Sequence, residues 1–272
     1  MAAGDSSGEE EEMKATREAA RDIDDRTEDL KELAAEHPDL WRDFLTRFEM
    51  SWIYHDNALE GIVLTHAEIT SALKGRPIAT DTYPAIRNFK LAMNLVRSQA
   101  PDGPAIDMDL VLRFHAVFGS HDPKYQVGRY RKDIPLHRTY FHDIAPPEDI
   151  DPRLKSLLAW AEANDPTDDD DALRFAAHFH HEFMSIFPFS ENCGKTGRLL
   201  LNYILLRHGY LPVVFHATDR QRYFDTLRLS KKEMEAYLSD TIANCLENGT
   251  TFIEKILEER AKKGVRRLAV AS

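Results

Sequence analysis

The chain has 272 residues, enough to bury one sizeable core, and no glycine- or proline-rich linker divides it. Its 35 Lys and Arg stand against 46 Asp and Glu, a formal net charge of −11 that disfavours non-specific binding to nucleic acid or anionic lipid. Only Cys193 and Cys245 are present, the N-terminus has no apolar signal core, and no apolar run reaches the ~18 residues of a membrane span, so a cytoplasmic protein is expected, bacterial or, if secreted, in a host cytosol.

Residues 1–12, with Glu9 to Glu12 in a row, carry too little apolar surface to pack and read as a disordered acidic N-terminus. Residues 13–36, rich in Ala, Glu, Lys and Arg, read as helix, and His37-Pro38-Asp39 breaks it and starts another. That second helix runs from about Leu40 to Glu60, with Leu40, Phe44, Phe48, Trp52 and Leu59 forming its apolar stripe and Gly61 stopping it. Glu60 therefore sits at a helix end. Thr65 with Glu68 is a capping box for a short helix through Leu73, and apolar spacing predicts further helices over 83–96 and 108–118. Across 125–144 the pattern changes: Arg129, Tyr130, Arg131, Ile134, Leu136, Tyr140 and Phe141 alternate imperfectly with polar residues, which predicts a hairpin. Helix returns over 147–164, and the acidic run Asp168 to Asp171 favours the N-terminus of the next helix. Residues 211–215 are too short and proline-led for a helix, 219–228 and 232–261 are amphipathic, and 262–267 is basic. Neither repeats nor zinc-type cysteine spacing occurs.

The most informative stretch is Phe175 to Gly209. Phe175, Phe179, Phe183, Met184 and Ile186 recur at helical spacing, as do Leu199, Leu200, Tyr203, Ile204 and Leu206, so two core helices flank the loop Ser190-Glu191-Asn192-Cys193-Gly194. The start of the second helix presents backbone N–H groups and the positive end of the helix dipole. Lys195 and Arg198, three residues apart on one face, would add side-chain donors there, and a phosphate fits that description. Gly194-Lys195-Thr196 is not a P-loop, because Phe189 stands where that motif needs glycine and the preceding segment is helical in period rather than a strand.

Residues 187–198 resemble the signature of the Fic (filamentation induced by cAMP) family, H-P-F-x-D/E-G-N-G-R/K-x-x-R. Pro188, Phe189, Glu191, Gly194, Lys195 and Arg198 fit, whereas Phe187 stands at the catalytic histidine, Asn192 at a glycine and Cys193 at an asparagine. Tyr54 to Gly61 is similar to the segment Y-H-S-N-A-I-E-G that carries the inhibitory glutamate of family members with an N-terminal autoinhibitory helix. Arg129 to Arg131 with Pro146 and Pro147 resembles the flap region, and Ala176, Ala177, His180 and Phe183 match a family helix. The resemblance spans roughly residues 40–260. It implies an all-α Fic-type core at 111–262 with a small β-hairpin flap, preceded by N-terminal helices at 13–110 that include the inhibitory helix and followed by a basic tail at 263–272.

Function follows from the same residues. The resemblance implies a pocket for ATP or another nucleotide at Asn192, Cys193, Gly194, Lys195 and Arg198, with Glu191 holding Mg²⁺ against the phosphates and an unidentified protein as target. It implies that Glu60 reaches Arg198 and keeps the nucleotide from seating, an autoinhibition. Each implication has a plainer counterpart: Glu191 as a helix N-terminal charge, Glu60 as a helix-end ion pair, and Phe187 as one more core residue. A phenyl ring cannot take a proton, so standard protein adenylylation (AMPylation) is expected to be lost, leaving a pseudoenzyme. Cys193 at a helix N-terminus beside two cations is an alternative nucleophile, or else a small buried residue. An enzyme with altered chemistry, transferring nucleotidyl or phosphoryl groups or hydrolysing a modification, is the competing expectation. A homodimer is compatible with either.

Overall fold

In the computed structural model residues 6–76, 82–135, 142–166 and 171–271 are described, with side chains described between residues 21 and 263. Local signals set most helix limits. A first helix, α1 (Ser6–Glu36), ends before Pro38, and α2 (Pro38–Leu59) begins with that proline in its first turn, where the missing N–H costs nothing. Glu60 caps α2 and Gly61 follows in the left-handed region at φ 83, as expected for a helix stop. The Thr65–Glu68 capping box is formed in both directions and opens α3 (His66–Leu73). Next come α4 (Thr82–Gln99) and α5 (Met108–Phe118), the latter capped by the Asp107 carboxylate, which accepts from Leu110 N–H at 2.7 Å. A 3-10 turn at Pro147–Asp149 leads into α6 (Ile150–Ala163), and the central pair α7 (Ala172–Ile186) and α8 (Cys193–Arg207) follows. Another 3-10 turn at Ala217–Asp219 precedes α9 (Arg220–Arg228), and α10 (Lys231–Ala271) closes the chain.

Helix α8 is the axis of the molecule, since Cys193 to Leu205 is buried without a break. A helix apolar on one stripe only could not be enclosed in this way. It packs against α7, α4 and α5, while α10 runs along α7 and is covered in turn by α1. Gly197 sets the closeness of the central pair: a Cβ there would lie 2.9 Å from Met184 Sδ and 3.0 Å from Phe183 Cδ1.

Three expectations change. The first helix starts at Ser6, within the stretch read as disordered, while residues 1–5 lie outside the described residues. The basic tail continues the backbone of α10 to Ala271. Among the described residues of 125–144 there is no strand ladder, and residues 136–141 of the expected hairpin lie outside the described ones. The extended chain pairs instead with the loop after α7: Tyr130 bridges Phe189, Arg131 N–H donates to Pro188 O at 3.0 Å, and Ser190 N–H donates to Arg129 O at 3.3 Å. Residues 168–170 of the acidic run also lie outside the described residues, and Asp171 is the N-cap of α7.

Candidate functional site at the start of the central helix

The turn between α7 and α8 is built by two left-handed residues. Phe187 ends α7 at φ 46 and ψ 61, a conformation costing a non-glycine residue about 1–2 kcal/mol, and Pro188 prevents the helix from continuing. Arg131, itself buried, offsets that cost by donating to carbonyls at the negative end of α7, Nε to Phe187 O at 2.8 Å and Nη2 to Ile186 O at 3.1 Å, and it ties this turn to the chain before α6 through Ala145 O. The Phe187 ring is 5% exposed and belongs to the apolar core, with the His142 ring 6.5 Å away. The second left-handed residue is Asn192, the N-cap of α8, at φ 52. Asparagine is the residue type that best tolerates a conformation otherwise left to glycine.

Beneath this loop lies a hydrogen-bonded pair that sequence reasoning missed. His115 of α5 accepts from Gly128 N–H at Nδ1, 3.1 Å away, so the ring proton sits on Nε2, which faces Glu191 O at 3.1 Å and the Tyr125 hydroxyl at 2.7 Å. Burial pushes the His115 pKa down, against the hydrogen bond to Glu191 O, and pushes Tyr125 up to about 12. Asn192 Nδ2 reaches the same hydroxyl at 3.4 Å. The only sequence signal was a histidine among the apolar positions of α5.

Lys195 and Arg198 share a face, as their spacing predicts, but that face looks into α2 rather than outward. Lys195 is 5% exposed and donates to Asn57 Oδ1 at 2.9 Å. Its charge is disfavoured by burial, with Asp56 and Glu60 working in the opposite direction. Arg198 is 2% exposed and meets two carboxylates: Nε to Asp56 Oδ2 at 2.9 Å, Nη2 to Asp56 Oδ1 at 2.7 Å, and Nη2 to Glu60 Oε1 at 2.9 Å. Burial opposes the charge of Arg198, yet Asp56 and Glu60 hold its pKa well above the ordinary value. The expected Glu60–Arg198 pair is present. Asp56 is an additional partner that spacing could have suggested, because it lies one turn before Glu60 on the same helix face.

Glu60 also reaches the start of α8. A Cβ at Gly194 would collide with Glu60 Oε1 and lie 3.0 Å from Arg198 Nη1, so a carboxylate occupies the first turn where the helix dipole favours an anion. Among the described residues Arg198 Nη1 has no hydrogen-bond partner, although it is buried.

The other candidates divide clearly. Glu191 is exposed in the loop, and among the described residues no group of three or more His, Cys, Asp or Glu is placed to hold a metal. A single carboxylate could take Mg²⁺ only together with ligand phosphates and water. Cys193 begins α8 but is 2% exposed within the apolar core. His180 is enclosed between Gly197 O at 3.1 Å and the Tyr223 hydroxyl at 3.0 Å, a structural role. His178 stacks on Trp160 at 4.1 Å and His181 faces Leu229 O at 3.2 Å, so neither points toward Phe187's turn.

A model of the Fic/DOC family matches residues 105–205. Protein adenylyltransferase Fic from Nematostella vectensis is 28% identical over 214 residues, covering 70% of this chain and 48% of that protein. The protein of the same name from Drosophila persimilis is 27% identical over 202 residues, covering 72% and 39%. The chain thus spans less than half the length of these curated relatives. A Fic domain containing signaling protein from Bacteroides thetaiotaomicron superposes with a TM-score of 0.71 at 20% identity, covering 87% of this chain and 96% of that one. Fic-1 from C. elegans does so with a TM-score of 0.71 at 20% identity, covering 87% and 71%. The matched segment holds α5, α7, the loop after it and all but the last two residues of α8, so the helices that build the site resemble those of the Fic/DOC family in sequence and share its fold.

Proposed function

We propose that this protein keeps a nucleotide-binding pocket at the first turn of α8, holds it shut in an autoinhibited state through Glu60, and lacks the base for standard adenylylation of proteins. The observation that carries the reading is the Glu60 carboxylate lying against Gly194 and on Arg198, where an acidic side chain fills a place suited to a phosphate. Arg198 Nη1, buried and without a hydrogen-bond partner among the described residues, supplies donors a phosphate would satisfy. The relatives' name, protein adenylyltransferase, supports ATP as the nucleotide and a protein as the target.

Phe187 argues for the loss of transfer, because a buried phenyl ring offers no acceptor for the target hydroxyl's proton. Burial also counts against Cys193 as a nucleophile. In this reading Glu191 meets Mg²⁺ only when a nucleotide brings it. Calorimetry with ATP, ADP and AMP, each with and without Mg²⁺, tests the pocket: binding of at least one at millimolar concentration is expected, and failure of all three leaves a scaffold. A second reading, an enzyme of altered chemistry acting by nucleotidyl transfer, phosphoryl transfer or hydrolytic de-modification, is favoured by the relatives' name alone. Labelled nucleotides incubated with the protein and a cell lysate separate the two by turnover.

A further inference from the structure

We infer that Asp56 is a second lock on this site, a positioning residue that holds Arg198 even when Glu60 has left. The inference rests on the phosphate-pocket reading above and deepens it. Arg198 has five N–H donors, and Asp56 takes two of them in a bidentate fork, Nε at 2.9 Å and Nη2 at 2.7 Å. Glu60 takes a single bond, on the remaining donor of Nη2. The side chain of Asp56 is 4% exposed and that of Glu60 is 19% exposed, so water screens the single bond more than the fork. Of the two carboxylates, the one nearer solvent is also the one touching Gly194, and it is the one an incoming anion would displace.

Displacing Glu60 does not uncover an unpaired arginine. The guanidinium stays neutralised by Asp56, and Lys195 stays turned onto Asn57. An entering phosphate would gain the donors of Nη1 and one of Nη2 while facing the Asp56 carboxylate across the same guanidinium, a like-charge neighbour in a poorly solvated place. In this chain the lock has two bolts, and the inner one is part of the core.

The test compares the full chain with Glu60→Gly, Asp56→Ser, the double variant, and Asp56→Asn with Glu60→Gly, which keeps an acceptor should serine prove too small. ADP is titrated by calorimetry. Glu60→Gly alone is expected to stay within about threefold of the unmodified affinity, and each double variant to bind at least about tenfold more tightly than Glu60→Gly. Proton exchange of the Arg198 Nε–H, followed by nitrogen-15 NMR and assigned with Arg198→Lys, gives a readout without nucleotide: slow in Glu60→Gly, fast in Asp56→Ser. Equal ADP affinity in Glu60→Gly and the double variants, or a protected Nε–H in Asp56→Ser, overturns the inference. If no variant binds ADP, the pocket reading falls and the lock has nothing to guard, while the exchange result still separates that failure from a failure of the Asp56 fork.

Discussion

Removing Asp56 should cost this protein more than removing Glu60, although both carboxylates sit on one arginine. Asp56→Ala strips the fork from a guanidinium that is 2% exposed, leaving the Glu60 bond and a long contact, 3.5 Å, to the backbone carbonyl of residue 56 on a buried charge. Breaking a buried pair from one side typically costs about 3–5 kcal/mol, and the surviving Glu60 bond puts this case near the lower end, about 3 kcal/mol. Glu60→Ala leaves the fork intact and removes a side chain that is 19% exposed, so the loss should be about 1 kcal/mol. For a chain of this size about 3 kcal/mol corresponds to roughly 6–12 °C in melting temperature. Urea unfolding of the two variants, compared at constant slope, measures the difference. Equal losses, or a loss under about 1 kcal/mol for Asp56→Ala, would show that the fork is not the stronger contact.

Further outcomes follow from the same geometry. Phe187→His should yield at most weak auto-modification from ATP, since the imidazole must take a buried, left-handed position while Asn192 and Cys193 remain. Adding Glu60→Gly, Asn192→Gly and Cys193→Asn should raise label incorporation, because a restored base is typically worth about 10² to 10⁴ in rate. Robust transfer by the unmodified protein contradicts the reading. Acid should destabilise the fold through its buried histidines. Burial pushes His180 down to about 3 against the pull of the Gly197 carbonyl, and burial with His216 stacked alongside pushes His55 down to about 4. Both bind fewer protons folded than unfolded, so their contribution is complete above the ordinary value near 6.5 and is lost as pH falls toward 4. The slope should approach about 1.4 kcal/mol per pH unit for the fully buried His180 and be smaller for the half-buried His55, which water screens, and urea midpoints between pH 7 and 4.5 should show it reduced in His180→Phe. A midpoint that stays level or rises as pH falls refutes this assignment.

What the sequence determined by itself is whatever a few neighbouring residues settle. The stop of α2 at Gly61, the capping box that opens α3, the limits of α5 and the two helices around Ser190 to Gly194 all depend on backbone groups within one turn. The shared face of Lys195 and Arg198 was legible for the same reason, and so was a Glu60 at a helix end. Motif resemblance added the pairing of Glu60 with Arg198. Only the tertiary structure decided what that face meets. Spacing fixes which side chains stand together on a helix but not which neighbour is packed against them, and here α2, 138 to 142 residues earlier in the chain, turns Asn57 and Asp56 onto the two cations. The exposed anion cradle that the sequence suggests is in the fold an enclosed ion cluster. The extended segment at Arg129 to Arg131 changed for a related reason: with Arg131 bound to the carbonyl end of α7, its backbone pairs with Pro188 to Ser190. Buried charge has to be satisfied by whatever packing brings near it, and that is decided across the whole fold rather than within a turn.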